Sequence, residues 1–216
     1  MTALAPRFRE ITSEGDPGFE ALFEIYAQSL SQRERKGRAE LSRMTQRPDY
    51  QVHLLETGDL AVGFCILFLP QGEVFALLEY MAVHPDYRSR GWGRQLFDYT
   101  LRTENHDLRT RVTLLEVDSD RQASIDQLQR KRRQQFYRSL GCLRIANLAY
   151  HLPLPGAEPP PEMDLFVHRT APGPEIRKAQ LEHWLAVIYR DVYSCAEGDP
   201  RIAAMLRGVK DPVTLE

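Results

Sequence analysis

Apolar and polar positions follow two rhythms along this chain. Phe19, Leu22, Phe23, Tyr26 and Leu30 recur at helical spacing. Asp16 stands ahead of them as an N-cap, with Pro17 at the first helical position. A second, more basic helix is predicted over about residues 32–45, ending before Pro48 because proline disfavours a helical residue ahead of it. The rhythm then shortens. Residues 8–11, 50–55, 60–69, 74–83, 112–117, 142–152 and 163–169 read as strands, and LAVGFCILFL at 60–69 is too apolar for a sheet edge. Helices are predicted over about 91–103 and 130–140, the latter stopping at Gly141.

The segment PLPGAEPPPE, 153–162, holds five prolines and reads as an extended connection. Beyond it, Leu181, Trp184, Leu185, Ile188, Tyr189 and Val192 make one apolar stripe on a helix over about 174–193, with a last short helix at 201–206. Hairpin-like strands mixed with helical crossovers predict an α/β (α+β) fold with a mixed sheet and flanking helices. The organisation read from this is a domain over 1–170 and a C-terminal helical extension over 171–216. The stripe needs cover, from the protein's own core or from a second copy of the chain.

Composition narrows the function. Net charge is −2, which gives no general case for nucleic acid or an anionic membrane as partner. No apolar run reaches the length of a membrane span. The three cysteines, Cys65, Cys142 and Cys195, are odd in number and far apart, and the first two sit in apolar runs as buried thiols do. A cytoplasmic location is expected. The six histidines show no metal-ligand spacing, so no metal is expected.

The chemistry concentrates in MAVHPDYRSRGWGRQLF, 81–97, where a strand runs into arginines and glycines ahead of a helix. Gly91 and Gly93 remove side chains where a ligand could approach the backbone. N–H groups at a helix start, with Arg88, Arg90 and Arg94 around them, suit a phosphate or pyrophosphate; a glycine-eased turn with solvated arginines is the plainer reading. The stretch is not read as a dinucleotide fingerprint, because its glycines follow the fourth predicted strand.

Residues 77–97 resemble the signature of the Gcn5-related N-acetyltransferases (GNAT), whose phosphate loop matches here as Arg88-x-x-Gly91-x-Gly93 after Ala82-Val83 and a His84-Pro85-Asp86 turn. QFYRSLGC, 135–142, is similar to the family's later tyrosine helix, and LLEV, 114–117, to its fifth strand. The resemblance implies the GNAT acyl-CoA N-acyltransferase fold over most of 60–150, and this family often dimerises, which favours a homodimer contact for the tail stripe. It also implies an acetyl-CoA-dependent N-acetyltransferase. Backbone groups of Arg88, Ser89, Arg90, Gly91, Trp92, Gly93 and Arg94 would hold the pyrophosphate. Met81, Ala82 and Val83 would meet the pantetheine arm.

The reaction sets its own requirements. An alkyl ammonium with a pKa of about 10.4 must lose a proton before attack, and the departing thiolate gains from a donor. By the resemblance, Tyr137 is that donor. Glu79 and Glu116 are the two candidate bases, Glu79 being slightly preferred, and period-two alternation places Glu79 on one face with Met81 and Val83. A glutamate inside an apolar strand must be paired or solvated, so either could instead be structural. The link 118–134 is longer than the family's, and its Arg130, Arg132 and Arg133 are either solvated or reach a cofactor phosphate. A small amine or amino-acid-like acceptor is expected. A non-catalytic acyl-CoA-binding module of the same fold is the alternative class.

Overall fold

Alternating apolar residues at the start of the chain pair into a meander. Strand β1 (Pro6–Glu10) lies antiparallel to β2 (Tyr50–Thr57), β2 to β3 (Leu60–Phe68), and β3 to β4 (Phe75–Val83). Helices α1 (Phe19–Ser29) and α2 (Arg38–Met44) stand between β1 and β2, and α3 (Trp92–Arg102) follows β4. The computed structural model describes residues 5–32, 34–102, 112–121, 124–154, 162–170 and 173–216, and it divides into two compact units, Met1–Arg109 and Thr110–Glu216.

The strand period assigns the helices of the first unit to opposite faces of its sheet. Phe64 meets Tyr26 of α1, with ring centroids 5.8 Å apart. A Cβ on its neighbour Gly63 would lie 2.8 Å from Leu96 of α3 and 2.7 Å from the Ala82 carbonyl. Successive strand residues point oppositely, so α1 covers the Phe64 face and α3 the Gly63 face. Gly63 is therefore glycine because α3 and β4 approach it closely. Leu96 and Phe97 are fully buried under α3, each worth about 1.5–3 kcal/mol.

Three boundaries differ from expectation. The first helix begins at Phe19; Asp16 instead closes the preceding turn, its Oδ1 accepting from Gly18 N–H at 2.8 Å. The second helix shrinks to Arg38–Met44 because Gly37 at its N-cap is extended and Tyr26 Oη accepts the Lys36 N–H at 2.7 Å. The predicted strand 142–152 survives only as β6 (Leu143–Arg144) and β7 (Tyr150–His151). Asn147 between them adopts φ +58°, which takes the chain out of the strand.

In the second unit, β5 (Val112–Asp118) pairs antiparallel along its whole length with β8 (Glu162–Arg169), whose other edge takes β6 and β7. Helix α4 (Gln127–Ser139) packs on β5 and ends at Gly141, with φ +86° as the sequence predicts. Helices α5 (Lys178–Asp191) and α6 (Pro200–Met205) pack on each other, and α6 on β7. Leu181, Trp184, Leu185, Ile188 and Tyr189 are all buried within the chain. The stripe is thus covered by its own chain, which removes the reason for assigning it to a dimer contact. The compact units divide at 109/110, and the tail helices belong with β5–β8. Most of the proline-rich link, 155–161, lies outside the described residues.

Candidate active site

Behind β4 the chain makes a short 3₁₀ turn, Pro85–Tyr87, and enters α3 through an exposed loop. Ser89 has φ +61° and Gly91 φ +84°. A left-handed serine costs about 1–2 kcal/mol, and strain of this kind gathers where backbone is shaped for a ligand. The Gly91 carbonyl accepts from Gln95 N–H at 3.2 Å, so Gly91 is the cap of α3, and the first-turn N–H groups are the ones a helix cannot satisfy itself. Arg88 Nε donates to the Val83 carbonyl at 3.1 Å, bracing the loop on the strand end. Arg90 lies over the Tyr87 ring at 5.5 Å. Positive charge, a helix N-terminus and left-handed backbone coincide here, which fits an anionic group.

Met81, Ala82 and Val83 pair with Cys65, Phe64 and Gly63 of β3. Glu79 does not share their alternation. Ile66 pairs with Tyr80 and Leu67 with Leu78, so Glu79 is the extra residue of a β-bulge. The bulge turns both Glu79 and Tyr80 to the α1 face, where Tyr80 meets Tyr26 edge-on at 5.1 Å. Met81 and Val83, opposite Cys65 and Gly63, stay on the α3 face. The expectation that Glu79, Met81 and Val83 share one face is therefore corrected by one inserted residue.

On that face the Glu79 side chain is 1% exposed. Its Oε2 accepts from Tyr50 Oη at 2.9 Å. Its Oε1 faces Lys36 Nζ at 2.9 Å in an ion pair, without the angle of a hydrogen bond. Burial, and then the Glu79 charge, push the Tyr50 phenol well above its ordinary value. Lys36 and Tyr50 were not singled out from the sequence, since Lys36 sat in a segment read as helix.

Glu116 on β5 is only half-buried. Its Oε1 accepts from the Tyr150 hydroxyl and its Oε2 from Tyr193 Oη at 2.6 Å. Tyr150 is fully buried on β7, and Tyr193 follows α5. Tyr137 on α4 is 8% exposed, and burial pushes its phenol up to about 12. At neutral pH it stays protonated and able to donate. Arg133 pairs with Asp118, and Arg130 with Asp126 one turn away at 3.0 Å, so these two arginines of the long link brace their own unit. Gln134 Nε2 ties that link to the Asp118 carbonyl and to buried Asp164, each at 2.8 Å. The structure thus holds the loop residues, Met81–Val83 and Glu79 in the first unit, and Glu116 and Tyr137 in the second.

Among the described residues no cluster of His, Cys, Asp or Glu could hold a metal ion, and no helix is long and apolar enough to cross a membrane. Cys65 and Cys142 are free and buried, and burial pushes both thiols up to about 12.

Comparison with known proteins places this geometry. Residues 48–141 match the family model described as an acetyltransferase (GNAT) domain. Over those residues the chain is similar to a GNAT acetyltransferase domain, the class that the Arg88–Gly93 loop and the tyrosine helix resemble. Solved structures with the same fold include a protein from Bacteroides thetaiotaomicron assigned to the GNAT acetyltransferases, 21% identical, TM-score 0.71, covering 88% of this chain and 99% of the other. The ribosomal-protein-S18-alanine N-acetyltransferase of Escherichia coli is 16% identical, TM-score 0.56, over 79% and 97%. A GNAT family acetyltransferase of Elizabethkingia anophelis, solved with acetyl-CoA bound, is 14% identical, TM-score 0.52, over 76% and 97%. No curated protein matches the chain.

Proposed function

We propose that this chain is an acetyl-CoA-dependent N-acetyltransferase acting on the amine of a small or amino-acid-like acceptor. The observation that carries the reading is the exposed loop Arg88–Arg94, with left-handed Ser89 and Gly91 at the start of α3. Its backbone N–H groups receive the cofactor pyrophosphate, and the end of β4, Met81–Val83, offers backbone to the pantetheine arm. The bound acetyl-CoA of the Elizabethkingia relative supports the choice of cofactor. The E. coli relative's acceptor, a protein's alanine, shows that the fold alone does not set the acceptor.

Of the two glutamates, Glu116 is the better base. A base must meet the substrate amine. Glu79 is shut away with a lysine and a tyrosine on its oxygens, while Glu116 is only half-buried. Glu116 takes the ammonium proton, the amine attacks the thioester carbonyl, and Tyr137 protonates the departing thiolate. A pure binding module needs neither group.

Titration calorimetry with acetyl-CoA and thiol release across a panel of primary amines test this. Binding should be seen, and Gly91→Val should weaken it at least about tenfold, because valine resists the left-handed backbone and crowds the pyrophosphate. Unchanged affinity in that variant would remove the loop assignment. Binding without thiol release across a broad panel would favour the non-catalytic alternative.

A further inference from the structure

Two tyrosines from outside the matched domain, which spans 48–141, hold the carboxylate assigned above as the base. Tyr150 lies 34 residues after Glu116, and Tyr193 lies 77 residues after it. Each donates its hydroxyl to a different carboxylate oxygen. We infer that Tyr150 and Tyr193 are positioning residues that hold Glu116 ionised and aimed, and that the C-terminal helices are thereby part of the acceptor site. This rests on the reading of Glu116 as base.

The chemistry runs as follows. A carboxylate has about four lone-pair sites, and two phenols occupy one on each oxygen. A carboxylate held by one donor on each oxygen keeps further lone pairs with which to take up a proton. Phenols supply hydrogen bonds without a cation's charge, so they favour the ionised form while contributing nothing that neutralises it. Gripping both oxygens also stops the carboxylate rotating about its last bond, which fixes the direction of the proton transfer.

The rest of the cluster holds the tyrosines in place. Tyr193 packs edge-on against Tyr189, with ring centroids 6.3 Å apart. Tyr189 Oη in turn donates to the His151 carbonyl at 2.5 Å, on the same short strand as Tyr150. Arg201 of α6 lies over the Tyr189 ring at 5.4 Å and is itself held by Asp199. Among the described residues, the titratable groups near Glu116 include Tyr150, Tyr193 and Tyr189, with Arg201, Asp199 and Cys195 around Tyr189. The apolar stripe of α5, which looked like an interface, is what anchors Tyr193.

The test follows the glutamate carboxyl carbons by NMR titration in the full-length protein, with Glu116 assigned by the signal lost in Glu116→Gln. Tyr150→Phe and Tyr193→Phe should each raise the Glu116 pKa by about one unit, since each removes a donor to the ionised form. The acid limb of kcat/KM against pH, read by thiol release with the most reactive amine of the panel, should move up with it. The KM for acetyl-CoA should stay unchanged. An unmoved carboxyl titration in a folded Tyr193→Phe protein overturns the clamp. Wild-type turnover in Glu116→Gln overturns the base reading and, with it, the catalytic part of this inference. A titration shift in the tyrosine variants alongside lost turnover in Glu116→Gln supports both.

Discussion

In the first unit, Glu79 faces the Lys36 ammonium and accepts from Tyr50 on a side chain that is 1% exposed. In the second, Glu116 accepts from two phenols and is only half-buried. Both satisfy the requirement that a carboxylate in an apolar strand be paired. They satisfy it with different consequences. A cation neutralises its partner and, when buried with it, makes a structural unit that is costly to break. Two hydroxyls stabilise the charge and leave it able to attract another cation. A carboxylate shut away with a cation reads as scaffold, and one gripped by two hydroxyls at a half-buried position reads as a site.

The sharpest way to break the comparison is to remove each charge with least change of shape. Glu116→Gln should lower kcat/KM by about 10²–10⁴-fold, the usual worth of a general base, with acetyl-CoA affinity retained. Glu79→Gln should lower it far less. Equal losses in thiol-release assays would mean that the scaffold and the site cannot be separated this way. Tyr137→Phe should lower kcat by about 10 to 10³-fold with little change in cofactor binding, because it removes only the proton donor to the thiolate.

The second way reads stability instead of rate. Glu79→Gln should destabilise the protein by about 1–3 kcal/mol, because the Lys36 ammonium loses its buried carboxylate at 2.9 Å and keeps Glu40 at 3.7 Å. Adding Lys36→Met should recover much of that loss, since replacing both members of a buried pair is often near neutral. Urea denaturation of the single and double variants measures both. A double variant no more stable than Glu79→Gln would show that Lys36 is solvated and that the ion pair is not what Glu79 is for.

Why one carboxylate was harder to read than the other is a matter of range. The loop was legible because its signals are local: glycine where φ is positive at Gly91, and an end to the strand at Val83. The stop at Gly141 was legible for the same reason. The bulge at Glu79 was not, because an inserted residue shows only in the register of the partner strand, and LLEYMAV alternates plausibly without it. Lys36 was hidden by a helix read six residues too early, where a tyrosine hydroxyl from α1 held the chain extended. Tyr193 showed as the far edge of an apolar helix, and nothing in its neighbours points to a strand 77 residues earlier.

The effect that is smallest at neutral pH is shared by the two units and is seen only in alkali. Cys65 and Tyr26 in the first unit, and Cys142 and Tyr137 in the second, are each pushed by burial up to about 12. Unfolded, a thiol titrates near about 8.5 and a phenol near about 10. Between those values and about 12, the unfolded chain has released protons that the folded chain still holds. The unfolded state then binds fewer protons, so stability falls as pH rises, by about 1.4 kcal/mol per pH unit for each such group. The thiols act first, from about pH 8.5, and the phenols join above about pH 10. Below pH 8 none of these groups tilts the curve. Urea midpoints taken at intervals from pH 7 to 11 should therefore be flat on account of these groups and then decline, with the decline steepening as the phenols enter. The share of tyrosinate absorbance that belongs to Tyr26 and Tyr137 should rise together with unfolding and not before it. Cys65→Ala and Cys142→Ala should each flatten the first part of the decline, whatever they do to stability at neutral pH. A decline of unchanged slope in both variants would mean that the thiols titrate while the protein is still folded, and that neither unit shields its interior as its burial implies.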